Sequence, residues 1–166
     1  MGIVDRAKKV VVIGDVFADM ISKVRGFPET GGRTFGTSFM RNSGGTGGNI
    51  AAGLAVLGME ASIVCGLGDD ENGEFLLEEL KQSGVNTEHV KVTAGLKSGA
   101  VPIMVDEDGE RVIYVLVKGS AFEAIEPEDL LFLEEMNPDA LCFTGVIIGA
   151  HPVEESAILA ARRWKG

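Results

Sequence analysis

The sequence predicts an α/β fold: a parallel sheet covered by helices, with a small antiparallel sheet beside it. Three observations carry this expectation. Apolar runs at 10–13, 61–65 and 140–143 each stop at or just before a glycine, the pattern of strands buried on both faces. Helical patterns follow at 49–57, 70–83, 127–135 and 152–165. Two pairs of strand-like segments, 17–25 with 34–41 and 100–105 with 111–117, have no helix between their members.

Each element has a local reason. Residues 10–13 read Val-Val-Val-Ile before Gly14, a β-branched run suited to a central strand. Segment 49–57 is apolar or small all round, so a helix there is expected to be buried. In 70–83, Gly73, Leu76, Leu77 and Leu80 fall on one helical face. Asp70 can cap that helix, Glu71 and Glu74 suit its positive end, and Gly84 can terminate it. Pro127 and Pro152 suit first helical turns. A Pro/Gly turn at 27–32 separates the first pair of extra strands, and Asp108-Gly109 centres a hairpin between the second.

A chain of 166 residues with 45% apolar and 24% charged residues can bury one real core, and is read as a single domain over 1–166. The net charge of −10 argues against a nucleic-acid or anionic-membrane surface. No apolar run reaches the roughly 18–20 residues of a membrane span, and no signal-like segment opens the chain, so a cytoplasmic location is expected. The two cysteines, Cys65 and Cys142, sit inside apolar runs and read as small buried hydrophobes. No spacing suits a metal site.

The sharpest chemical feature is Gly44-Gly45-Thr46-Gly47-Gly48-Asn49, running into a helix. Glycines let a ligand approach the backbone, and helix-opening amides form a positive end. Asn49 can both donate to and accept from a hydroxyl. No Gly-Lys-Ser/Thr closes a phosphate loop here, and the spacing is not that of a dinucleotide fingerprint. A flexible loop with a capping Asn49 is the plainer alternative. Asp15 and Asp19 lie just beyond the first strand, where open α/β sheets bind ligands, and a carboxylate there suits a vicinal diol. Taken alone, Asp15 shapes a turn and Asp19 is a solvated strand residue. The acidic stretch 66–73 reads as a strand-to-helix turn with an Asp cap. His89, His151, Thr144 and Ser156 have no catalytic context in sequence.

Taken in order, these residues resemble the ribokinase-like (PfkB family) carbohydrate kinases. The resemblance runs from the first strand with Asp19, through the turn after Phe27-Pro28, the 44–51 segment leading to Gly58, and 66–73, to Gly84-Val85. It covers about residues 8–145. It implies a three-layer α/β/α sandwich with a small antiparallel lid, whose strands lie at about 17–42 and 99–117, truncated on its C-terminal side. It further implies ATP- and Mg²⁺-dependent phosphorylation of a hydroxymethyl group on a sugar, nucleoside or polyol. Asp15, Asp19, Gly44, Gly45, Thr46 and Asn49 become candidate substrate contacts, and Phe17, Ala100, Pro102 and Ile113 candidate lid contacts. Phe17 stands where the family's ribose-phosphorylating members carry a polar residue, which hints at a larger or more apolar substrate.

The family's Asn-x-x-Glu and Gly-Ala-Gly-Asp motifs do not occur in this sequence. No catalytic, nucleotide or metal residue is therefore assigned, and the chain alone is expected to be inactive. Sheet edge and helix faces left open, with Ile147, Ile148, Ile158 and Trp164 as candidates, suggest self-association, as does a homodimer through the lid. The competing reading is a non-catalytic sugar- or nucleoside-binding module functioning at this length. A dinucleotide-enzyme reading fails on glycine spacing and lacks an acid ending a second strand.

Overall fold

The computed structural model describes residues 8–145 and 153–164. In it the β-branched run becomes β1 (Lys9–Ile13), flanked in a four-stranded parallel sheet by β4 (Glu60–Gly68) and β8 (Ala140–Phe143), with β5 (Val90–Thr93) beyond β4. A second four-stranded sheet holds β2 (Phe17–Val24), β3 (Gly36–Gly44), β6 (Ala100–Val105) and β7 (Arg111–Ile113), in the order β3-β2-β6-β7.

Alternation along β1 divides the core. Val12 packs with Ala51, Ile63, Cys65, Leu76 and Leu80, beneath α1 (Thr46–Val56) and α2 (Glu71–Gln82). Val11 and Ile13 pack on the opposite face with Phe122, Ile125, Leu133 and Ala157. Phe122 lies in a short 3₁₀ turn (Ala121–Ala124) and Ile125 just after it, ahead of a second such turn (Pro127–Leu130); Leu133 belongs to α3 (Leu133–Met136) and Ala157 to α4 (Val153–Arg163). Helices on both faces of a parallel sheet make the three-layer arrangement expected. A fully buried side chain such as Ile13 contributes about 1.5–3 kcal/mol of burial free energy.

Helix α2 begins where its chemistry directs. Asp70 accepts from the Gly73 N–H at 2.9 Å, and Gly84, at φ 80°, carries the chain out of the helix. Burial pushes the Asp70 carboxyl up, but hydrogen bonds from Ser98 and Gly73, with Lys97 nearby, bring it below its ordinary value. The expected helix over 127–135 is instead broken. Pro127 opens a 3₁₀ turn fixed by reciprocal Glu126 and Asp129 caps, and Asn137, at φ 45°, ends the short helix that follows.

Three further corrections concern the sheets and α1. The small sheet is mixed, because β2 pairs with β6 in parallel, while β2–β3 and β6–β7 are antiparallel. Strand β5 lay outside the expected elements. Helix α1 starts at Thr46, three residues early, and is not buried all round: Val56 is 79% and Leu57 74% exposed. Ile158 is exposed as expected, whereas Trp164 is part-buried and donates from Nε1 to the Pro138 carbonyl at 3.2 Å. Pro152, His151, Ile147 and Ile148 lie outside the described residues. Among the described residues no helix is long and apolar enough to cross a membrane. Both cysteines are free, and burial, with Asp15 adding to it, pushes the Cys65 thiol up to about 12.

Candidate functional site

The carboxyl end of β1 delivers the chain to Asp15, and there three elements meet. Asp15 is 1% exposed. One carboxylate oxygen accepts from the Thr46 N–H at 2.7 Å; the other accepts from the Gly47 N–H at 3.3 Å and the Thr144 hydroxyl at 2.8 Å. Its backbone carbonyl takes the Gly48 N–H at 3.0 Å, and the Gly45 carbonyl takes the Asn49 N–H at 3.1 Å. All four amides that open α1 are thus satisfied from within the protein. Asp15 is its cap, reaching back across 31 residues.

This geometry changes two expectations. Asp15 was a candidate substrate contact, but both its oxygens are engaged and it is buried, so its place is a support beneath the site. The amides of the first turn were expected to cradle a ligand, and a carboxylate of the protein already holds two of them. Thr144, which the sequence left without a role, is the third partner of that carboxylate.

Asp19 is placed differently. It lies on β2, opposite Asn42 of β3 and Val101 of β6. Cross-strand partners share a face, so these three side chains lie together. The Asp19 carboxylate lies directly over Gly44, where any Cβ would collide with it. Gly45 follows at φ 89°, and a Cβ there would come within 2.7 Å of the Asp15 carbonyl. The two glycines therefore let the Asp19 carboxylate, the Asp15 turn and the start of α1 close on one another. Asn49 projects from the end of the first turn of α1 and, like Thr46, is exposed. Among the described residues, neither the Asp19 carboxylate nor the Asn49 side chain has a hydrogen-bond partner.

Burial, and then the negative charge of Asp15, hold the Asp19 carboxyl above its ordinary range. The folded protein binds this proton more tightly than the unfolded chain does. The resulting stabilisation is present below the ordinary carboxylate pKa and lost as pH rises through the folded value. At neutral pH ionised Asp19 is therefore a cost, of the kind that marks functional sites. Asp19→Asn is expected to raise the melting temperature at pH 7. That gain should shrink as pH falls toward about 4, which calorimetric melting at several pH values would check; a gain independent of pH would contradict this reading.

The lid-facing expectations divide. Ile113 pairs with Ile103, which pairs with Ile21, two residues along from Asp19; Ile113 is therefore on the Asp19 face. Ala100 and Pro102 pair with Ala18 and Met20 and lie on the opposite face; of their neighbours on the Asp19 face, Ile103 is part-buried and Val101 is a core residue. The β2–β6 register alone reveals this, since alternation cannot say which parity faces Asp19. Phe17 shares the Asp19 face but is 4% exposed, its ring edge-on to Phe122 with centroids 5.4 Å apart; it is a core residue. On the other face, Arg41 bonds Glu71 and Asn72, both at 3.2 Å, and lies over the Phe75 ring, tying the small sheet to α2.

No group of described acids, histidines or cysteines is placed to hold a metal. His89 stacks on Phe132, and Ser156 is buried with its hydroxyl directed to the Ile125 carbonyl.

Comparison with known proteins follows this geometry. The model for the pfkB family carbohydrate kinases matches residues 7–162. A ribokinase of Mus musculus is 33% identical over 126 residues, covering 76% of this chain and 38% of that protein. A fructokinase of Klebsiella pneumoniae is 30% identical, covering 74% of this chain and 36% of its own. Among solved structures, Arabidopsis thaliana ribokinase complexed with ribose and ATP is 28% identical with a TM-score of 0.60, covering 66% of this chain and 36% of that one. A sugar kinase of Pyrococcus horikoshii in complex with ATP shares the fold at a TM-score of 0.79 and 24% identity, covering 95% of this chain and 50% of the other. The chain thus spans half or less of the length of these relatives. With a family match running almost end to end, on a fold that sets Asp19 against the glycine-rich start of α1, this chain belongs to the pfkB family of carbohydrate kinases.

Proposed function

We propose that this chain provides the acceptor-binding part of an ATP-dependent kinase for a sugar or related polyol. The observation that carries the reading is the Asp19 carboxylate, part-buried, unpartnered among the described residues and held over Gly44, just before the helix that carries Asn49. A carboxylate of this kind accepts hydrogen bonds from two adjacent hydroxyls, and a carboxamide supplies a complementary donor and acceptor. Asn42, opposite Asp19 on the same face, extends the polar rim, while Ile103 and Ile113 provide apolar surface for carbon–hydrogen faces of a ring.

No nucleotide-binding role is assigned to the described residues. The one helix start in the site has its amides taken by Asp15, and no described acids cluster for Mg²⁺. No phosphoryl-transfer step is assigned to them. Their part is to bind and orient the acceptor hydroxyls, and the small sheet closing above them would exclude water. The names of the relatives make D-ribose and D-fructose the first ligands to try. A sugar that binds only the folded state is expected to raise the melting temperature with concentration, by about 2.7 kcal/mol of added stability at one hundred times its dissociation constant. Scanning calorimetry with a panel of sugars and nucleosides checks this; no shift with any member would remove the assignment.

A further inference from the structure

We propose that Ser98, gripped by Asp70, is a positioning residue: it fixes the tilt of the small sheet and so the place of Asp19 over the start of α1. The inference rests on the acceptor-site reading above and assigns a residue that supports the site from outside it. It follows from how the chain enters the small sheet.

The chain passes from the main sheet into the small one at two places, from β1 into β2 and from β5 into β6. Asp15 ties the first passage to α1 and to Thr144. The acidic loop after β4 holds the second. The Asp69 carboxylate accepts from the Gly95 N–H at 2.9 Å. One Asp70 oxygen accepts from the Ser98 hydroxyl at 2.7 Å, and the other from the Ser98 N–H at 3.3 Å. Ser98 Oγ in turn accepts from the Gly68 N–H at 3.0 Å, at the end of β4. Ser98 is 5% exposed, so these bonds are shielded from water and strengthened by it.

Capping α2 does not call for this arrangement. The cap needs one oxygen, which the Gly73 N–H reaches at 2.9 Å, and a serine would supply it as well. The remaining bonds converge on Ser98, and Ser98 leads straight to the site. Gly99 follows, with no room for a Cβ beside the Phe17 ring, and its carbonyl accepts from the Ala18 N–H at 3.0 Å. Ala100 then pairs with Ala18, and Val101 with Asp19.

Asp19 therefore lies between two anchors. Asp15 stands four residues before it, and Ser98 three residues before its β6 partner Val101. A sheet held at one point can pivot about it; held at two, it keeps one tilt. The chain leaving β7 adds little to this. It bonds β6 through its backbone, Tyr114 to Pro102 and Leu116 to Ala100, and so travels with the small sheet. Loosening the Ser98 anchor leaves the groups at the site unchanged but lets the Asp19 carboxylate drift relative to Asn49. A ligand bridging the two registers that drift as lost affinity.

The test is hydrogen exchange read by mass spectrometry, with titration calorimetry against D-ribose and D-fructose, on the intact chain. The proteins are wild type, Ser98→Ala, Asp70→Ser and Ser83→Ala. Asp70→Ser keeps a capping oxygen for Gly73 and gives up the grip on Ser98, so it serves should Ser98→Ala fail to fold. Ser83→Ala removes a hydroxyl bond to the Glu79 carbonyl, at the far end of α2 from Asp70. In Ser98→Ala and Asp70→Ser, the amides of β2 and β6 are expected to exchange faster while those of β1 keep their protection. Sugar affinity should fall about tenfold, the scale of one hydrogen bond to a charged group. Ser83→Ala is expected to change neither. Unaltered exchange in β2 and β6, faster exchange spread evenly over the chain, or full affinity in the first two variants overturns the inference. Loosened β2 and β6 in a protein whose wild type binds no sugar overturns the acceptor reading and leaves the anchor standing.

Discussion

Asp15→Ala is expected to destabilise the protein by about 3–5 kcal/mol, through loss of a buried carboxylate on which other groups depend. The substitution strips two amides of α1 and the Thr144 hydroxyl of their acceptor, in a place where water has little access. It also removes the cap that starts a helix whose second and third residues are glycines, poor helix formers that need such help. For a chain of this size the melting temperature should fall by roughly 6–20 °C. Asp15→Asn keeps the shape and one acceptor oxygen, so it should fall between Ala and wild type. Urea unfolding of the three proteins measures this. A loss within about 1 kcal/mol for Ala would mean that the junction of β1, α1 and β8 is held by something else.

Much of this fold was legible because its signals are local. The Val-Val-Val-Ile run, the Asp70 cap with Gly84 beyond, and the Asp108-Gly109 hairpin each specify their element within a few residues. What could not be read depended on distant partners. The start of α1 is set by a carboxylate about thirty residues earlier, so a local reading of glycines placed it three residues late. The parallel pairing of β2 with β6 joins segments about eighty residues apart, and two hairpin-like pairs suggested only antiparallel neighbours. The four-residue β5, alternating Val and Lys or Thr, gave too little pattern to distinguish from a loop.

The site divides in the same way. Asp19, Gly44 and Asn49 were candidates by position after a strand and before a helix, Asp19 only with the family resemblance added, and the fold places Gly44 beneath Asp19. Asp15 has the same sequence context as Asp19, yet it turns inward to cap α1; only the three-dimensional path distinguishes them. Thr144 and Asn42 had no sequence signal, since their relevance comes from pairing across strands and across the β1–β8 boundary.

Asp19→Ala is expected to weaken sugar binding by about 100-fold or more, because a carboxylate that takes two hydroxyl hydrogen bonds cannot be replaced by water without leaving both unpaired. The fold should remain, since this carboxylate holds no described part of the protein in place. Asn49→Ala, on an exposed helix turn where alanine is the better helix former, should likewise lose binding and keep its melting temperature. The decisive measurement is titration calorimetry of wild type and Asp19→Ala with whichever of D-ribose or D-fructose binds, alongside their melting curves without ligand. The account predicts saturable heat for wild type, none at matched concentration for the variant, and equal or higher thermal stability for the variant at neutral pH. Undiminished affinity in Asp19→Ala would contradict it, since the hydroxyls would then be held by some other part of the molecule.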